Sequence, residues 1–220
     1  MKKVIQIALV LFFSLSHAMA QKKLDAILSN STISFNYGLS YDYFACCADQ
    51  NNNVPITNLD DRKEWGEMFG FEYTYRPEGK NEFGFGFSKQ VNSKDLNVAV
   101  QTSFALINFE EYRIRGTKNF HYLLYKRHFI EEKLIGSAGL YNLRFRDPLV
   151  EVWGNSDQTE VMLVDDTRII DFGIFAGLEF YQSISKNFQV GLRSRLFYTQ
   201  GYDESFESFE LTPVLRFTLK

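Results

Sequence analysis

The chain has 220 residues, with 24 basic and 27 acidic side chains, 22 Phe and 12 Tyr, but only 4 Pro. No basic block stands out, which argues against a nucleic-acid partner, and an aromatic-rich, proline-poor composition favours strands over helices. Beyond the N-terminus no apolar run approaches the roughly 20 residues that a membrane helix needs.

Lys2 and Lys3, the apolar run Val4 to Leu15 and the triplet Ala18-Met19-Ala20 read as a signal peptide over residues 1–20, cleaved before Gln21. The run is too short for a spanning anchor. Residues 21–220 then make one domain. Without Lys2 and Lys3, 22 basic residues stand against 27 acidic ones, a net charge of −5. An exported chain that enters a membrane without helices must close a β-barrel, because lipid cannot satisfy open backbone groups.

Period-two alternation then runs along the chain. In 31–44, Ile33, Phe35, Tyr37, Leu39, Tyr41 and Tyr43 share one face, while Thr32, Ser34, Asn36, Gly38, Ser40 and Asp42 share the other. Cys46 and Cys47 follow as adjacent loop thiols. Neighbouring cysteines rarely reach disulfide geometry with each other, and an intermolecular bridge stays open in an oxidising compartment. In 67–76, Phe69, Phe71, Tyr73 and Tyr75 oppose Gly70, Glu72 and Thr74. In 82–90, Phe83, Phe85 and Phe87 oppose Gly84, Gly86 and Ser88. The glycines of 84–87 are therefore strand alternation and not a phosphate-binding loop.

A fourth strand sets Tyr112, Ile114, Phe120, Tyr122 and Leu124 against Glu111, Arg113, Arg115, Thr117 and Asn119. The fifth sets Ile135, Tyr141, Leu143 and Phe145 against Gly136, Ala138 and Asn142. The sixth sets Ile170, Phe172, Ile174, Leu178 and Phe180 against Asp171, Gly173, Gly177 and Glu179. The seventh sets Phe188, Val190, Leu192, Leu196 and Tyr198 against Gln189, Gly191, Arg193 and Arg195. The last sets Phe209, Leu211, Leu215, Phe217 and Leu219 against Glu210, Thr212, Arg216 and Thr218. The pattern predicts an all-β, closed, antiparallel up-and-down barrel of about eight strands.

The interior of an eight-stranded barrel is only wide enough to be filled by side chains or to hold one small ligand. So many bulky rings do not fit there. The aromatic face should therefore point outward, which is untenable in water and natural in lipid. Connections agree. Short links at 76–81, 126–133 and 183–187 alternate with long polar ones at 45–66, 91–108 and 146–167, the outer-membrane pattern, with both termini periplasmic.

Two places fit less well. Lys118 falls on the outward face of strand four, where a lysine at the bilayer midplane costs roughly 2–4 kcal/mol. It must snorkel, or a bulge must shift the register. Residues 96–106 also alternate, with the parity of strand four, so that strand may project above the membrane. A ten-strand count is the weaker option.

The stretches 171–199 and LTPVLRFTLK at the terminus, with 112–129 and 133–142, resemble the PorT-like outer-membrane β-barrel family. The resemblance implies a small eight-stranded barrel of the OmpX kind in a diderm bacterium. It carries no fixed catalytic motif. The terminus also resembles a barrel-assembly signal, although Phe217 is followed by Thr218, Leu219 and Lys220.

The candidate site is a set of inward charges: Glu72, Glu111, Arg113, Arg115, Asp171, Glu179, Arg193, Arg195, Glu210 and Arg216. Buried charges must be paired, so a salt-bridge network plugging the lumen is favoured over an ion path. Chemistry has less support. After signal removal only His121, facing inward, and His128, in a periplasmic turn, remain, with no G-x-S-x-G elbow beside them. The acidic stretch 58–64 and Asp165-Asp166 lack EF-hand spacing. No catalytic, cofactor or metal site is expected. The chain is expected to be a monomeric barrel that contacts lipid, with a protein partner reached through 45–66, 91–108 and 146–167. A narrow channel is the alternative, and a lipid A-modifying enzyme the lesser one.

Overall fold

A computed structural model describes the backbone of residues 28–42, 65–77, 79–101, 106–130, 133–155, 158–200 and 205–219. It describes the side chains of 28–42, 65–77, 79–93, 115–130, 133–146, 170–200 and 206–219. The expected signal peptide, Cys46, Cys47 and the stretch 58–64 lie outside these residues, as do the side chains of Asp165 and Asp166.

The alternating segments form eight strands: β1 (Ser31–Asp42), β2 (Trp65–Tyr75), β3 (Asn81–Gln101), β4 (Leu106–Ile130), β5 (Leu134–Asn155), β6 (Gln158–Ser183), β7 (Phe188–Thr199) and β8 (Ser205–Leu219). Each pairs antiparallel with its chain neighbour, and β1 also pairs with β8, so the sheet closes into a barrel. Closure leaves no edge strand in the wall.

Pairing around the full barrel does not use all of the long strands. Residues 92–101 of β3 pair only with 106–116 of β4, and residues 147–155 of β5 pair only with β6. Two free two-stranded ribbons therefore rise beyond the barrel wall. The expected loops 91–108 and 146–167 are thus mostly ladder, paired out to Gln101 with Leu106 and Asn155 with Gln158. Residues 96–101 continue the third strand and do not extend the fourth, and the count stays at eight. At the opposite end the connections are tight turns. In the turn after β2, Gly79 takes φ 73°, and Arg76 Nε donates to its carbonyl at 2.7 Å. Ser31 pairs there with both Tyr75 and Leu219, so both ends of the strand order lie at this turn end.

On β1, β2, β3, β6, β7 and β8 the bulky face points out. Phe35, Phe85, Phe172, Ile174, Leu192 and Leu215 are exposed, while Asn36, Glu72, Ser88, Glu179, Arg193 and Glu210 are buried. On β4 and β5 the faces are the reverse of those expected from the alternation. Phe120, Tyr122, Leu124, Ile135, Tyr141 and Leu143 line the lumen, whereas Leu123 and Leu140 are 67% and 64% exposed on the outer wall. Lys118 shares the parity of Phe120 and points inward, so neither snorkelling nor a bulge is needed. His121 points outward with its ring 5.1 Å from Phe87, and His128 is a buried residue of β4 and not part of a turn.

The physical reason is that both faces of β4 and β5 carry bulky side chains, so apolarity alone does not select the face. The lumen has to be filled to the density of a protein interior. Tyr122 and Tyr141 fill it because the strand beside each offers a glycine, Gly86 and Gly173 in direct register. A Cβ at either glycine would stand 2.4 Å from the tyrosine ring. Gly86→Val is therefore expected to destabilise the barrel by about 1–3 kcal/mol through overpacking. Urea unfolding followed by circular dichroism measures it, and an unchanged midpoint would mean that the ring does not rest on the wall.

Candidate functional site

The lumen is layered along the barrel axis. At its centre Glu72, on β2, accepts from four donors. Oε1 takes Tyr122 Oη at 2.9 Å and Arg195 Nη1 at 2.5 Å, and Oε2 takes Lys126 Nζ at 2.7 Å and Arg193 Nη2 at 2.6 Å. Glu179, on β6, faces the same cations, with Arg195 Nη2 at 2.6 Å, Lys126 Nζ at 2.8 Å and Arg193 Nε at 3.2 Å. Tyr181 Oη also donates to it at 2.7 Å. Glu210 accepts from Asn36 Nδ2 at 2.7 Å and Thr212 Oγ1 at 2.6 Å, with Arg193 Nη1 at 3.9 Å. Three cations thus meet three carboxylates, all of them buried. Compensation of this kind is what lets charges stay out of water.

Alternation explains how the chain assembles this cluster. Arg193 and Arg195 lie two apart on β7 and so share its inner face. Lys126 lies on the inner face of β4, and the register sets Glu179 opposite Arg193 and Arg195 opposite Glu210. The Arg195 guanidinium also lies over the Phe175 ring at 4.9 Å, a cation–π contact in a desolvated site.

Towards the ribbon end an apolar layer follows. Met68, Phe120, Tyr122, Leu124, Tyr141, Leu143, Phe175 and Phe197 form one buried cluster, with Phe120 and Phe197 at 4.6 Å between ring centroids. Beyond it Lys118 pairs with Asp42 at 2.7 Å and with Glu207. Glu207 also accepts from Thr199, whose hydroxyl is 2.6 Å from Tyr141 Oη. Towards the turn end Glu82 pairs with Arg216 and lies 2.5 Å from His128 Nε2, and these three line a cavity of about 310 Å³ at that mouth.

The expected inward charges do not all converge. Glu72, Glu179, Arg193, Arg195 and Glu210 form the central cluster. Arg216 is also luminal but belongs with Glu82 at the turn end. Asp171 is half-buried on the luminal parity of β6, and its main-chain carbonyl accepts weakly from Asn142 at 3.5 Å. Arg115 is corrected: it is exposed on the outer side of β4, because the face of that strand is reversed. Glu111 and Arg113 share its parity, and their side chains lie outside those described. Lys126, Lys118, Asp42, Glu82, His128 and Glu207 were not among the expected luminal charges. Glu82 shares the parity of Gly84 and Ser88, and Asp42 that of Asn36 and Ser40, so both were readable. The two lysines were hidden by the reversal of β4.

Chemically the arrangement is a plug of paired charges and packed rings. Among the described residues His128 Nδ1 has no hydrogen-bond partner. No group of three or more metal-binding side chains is found among the described residues.

No protein-family model matches the chain, and no curated protein matches it. Among solved structures it is similar to Neisserial surface protein A (NspA), at 10% identity and TM-score 0.45, covering 86% of this chain and 97% of that one. It is similar to the N-terminal β-barrel domain of Pseudomonas aeruginosa OprF, at 16% and 0.42, covering 86% and 97%. It is also similar to Ail, the attachment invasion locus protein of Yersinia pestis, at 14% and 0.44, covering 85% and 97%. At identities this low the likeness is one of shape and transfers no residue role.

Proposed function

We propose that the chain is a small outer-membrane barrel of a diderm bacterium, with both termini at the periplasmic face. In this reading it is a structural or interaction protein, a monomer that meets its partner through the ribbon end. One observation carries it: the barrel is inside out. A wall of exposed Phe, Leu, Ile and Tyr surrounds a lumen of paired charges, and a surface of that kind suits lipid and not water. The PorT-like resemblance of residues 171–199 and of the C-terminus supports the same address. The ribbons at 92–116 and 147–167, with the segment 45–66, are the parts through which a partner would be reached. Their deletion is expected to leave the barrel folded and to remove whatever co-purifies with it in mild detergent. If the co-purifying set is unchanged, the interaction role is wrong.

The membrane assignment has its own test. The folded protein should float with lipid vesicles and migrate faster on a denaturing gel before boiling than after. A narrow channel is the competing use of such a barrel. The packed layer from Phe120 to Phe197, beside the charge-paired cluster at Glu72, speaks against a water path. Planar-bilayer recordings of the purified barrel are expected to show no steady conductance, and reproducible unitary steps would replace the plug with a pore.

A further inference from the structure

Among the described side chains, the outer wall gathers its cations most densely in one patch. On β3, β4 and β5, just where the closed barrel gives way to the ribbons, outward positions carry cations. Lys89 pairs with Asn119 and Asn119 with Arg144, which makes one row across three strands. The next row is Val91, Thr117 and Arg146, and Arg115 stands above it opposite Ser93. Arg115, Arg144 and Arg146 are exposed and Lys89 is half-buried. Arg146 is also engaged within the chain. Among the described side chains, the nearest outward carboxylate, Glu67 opposite Val91, is taken by the Tyr37 hydroxyl.

Directly below the patch lies a mixed row, Phe87, His121, Asn142 and Phe172, and one row further down the wall is apolar through Phe85, Leu123 and Leu140. A ligand that satisfies both zones is an amphiphile, with its chains on the rings and leucines and its anionic head on the arginines. Strand spacing of about 4.8 Å and a rise of about 3.3 Å per residue make the cationic area roughly 10 Å by 13 Å. That is wider than one phosphate and suits a headgroup with two. Arginine binds phosphate oxygens through paired charge-assisted hydrogen bonds, and basic clusters beside an apolar wall are a recurring lipid-headgroup device.

We propose that this patch binds a glycolipid carrying two phosphates, in the leaflet at the ribbon end. The assignment rests on the membrane reading given above. The test uses the full-length folded barrel in phosphatidylcholine nanodiscs, titrated with diphosphorylated lipid A and, in separate arms, with phosphatidylglycerol and heparin. Tightest binding of the diphosphorylated glycolipid is expected, weakened about tenfold or more in the R115Q/R144Q double variant. A K89Q variant should weaken it less. R127Q, which removes an exposed arginine near the turn end, should leave it unchanged. Equal binding by wild type and the double variant overturns the proposal, as does equal binding of phosphatidylglycerol or heparin. Heat-dependent gel migration of every variant keeps misfolding apart from lost binding. A wild-type chain that never enters the bilayer overturns the membrane reading itself, whereas an inserted barrel that ignores the glycolipid overturns only this site.

Discussion

Glu72→Ala should lower the unfolding free energy of the barrel by about 3–5 kcal/mol, the usual cost of removing one partner from a buried ion pair. In wild type Lys126, Arg193 and Arg195 share Glu72, Glu179 and Glu210. The alanine leaves three buried cations facing two carboxylates, so one positive charge is uncompensated. It also removes the acceptor for Tyr122 Oη at 2.9 Å, which strands a buried hydroxyl. Glu72→Gln should fall between the two, because it keeps acceptor capacity but not charge. Adding Arg195→Met to Glu72→Ala should cost less than the sum of the two single changes, since the excess cation leaves with the carboxylate. Urea unfolding in vesicles, followed by the fluorescence of Trp65 and Trp153, supplies the cycle. Additive single effects would mean that these groups do not act as one network.

The fold was legible because strand alternation, turn lengths and the volume limit of an eight-stranded lumen all point the same way. Gly84, Gly86 and Ser88 opposite Phe83, Phe85 and Phe87 leave no ambiguity about which face of β3 is inside. The central cluster, apart from Lys126, was legible for the same reason. Glu72, Glu179, Arg193, Arg195 and Glu210 sit on strands where one face is polar and small and the other bulky. β4 and β5 break the pattern, because Asn119, His121, Asn142 and Arg144 occupy the outer wall while rings fill the inner one. Nothing local tells a ring that packs on Gly86 across the sheet from one that meets an acyl chain. That distinction lives in cross-strand register, which is a long-range property. The ribbons were read as loops because polar residues dominate there, although the ladder bonds continue through them. Arg115 was misplaced by the same reversal that hid Lys126.

The lysine that fitted worst on the assumed lipid face supplies a test in which the sign of the effect decides. If Lys118 faced acyl chains, Lys118→Met would stabilise the barrel by roughly 2–4 kcal/mol, the relief of a cation at the bilayer midplane. In the lumen Lys118 is buried and holds both Asp42 and Glu207, with its ammonium 5.1 Å from the Phe145 ring centroid. Methionine keeps the packing volume but leaves two buried carboxylates repelling each other. Destabilisation of about 2–4 kcal/mol is therefore expected, less than for Glu72 because this pair lies nearer the open end and water can reach it more readily. Asp42→Asn added to Lys118→Met should recover part of the loss, because it removes one of the two repelling charges, and Lys118→Arg should lose little. A gain in stability for Lys118→Met would turn β4 back to front, and with it the whole aromatic layer from Phe120 to Leu124.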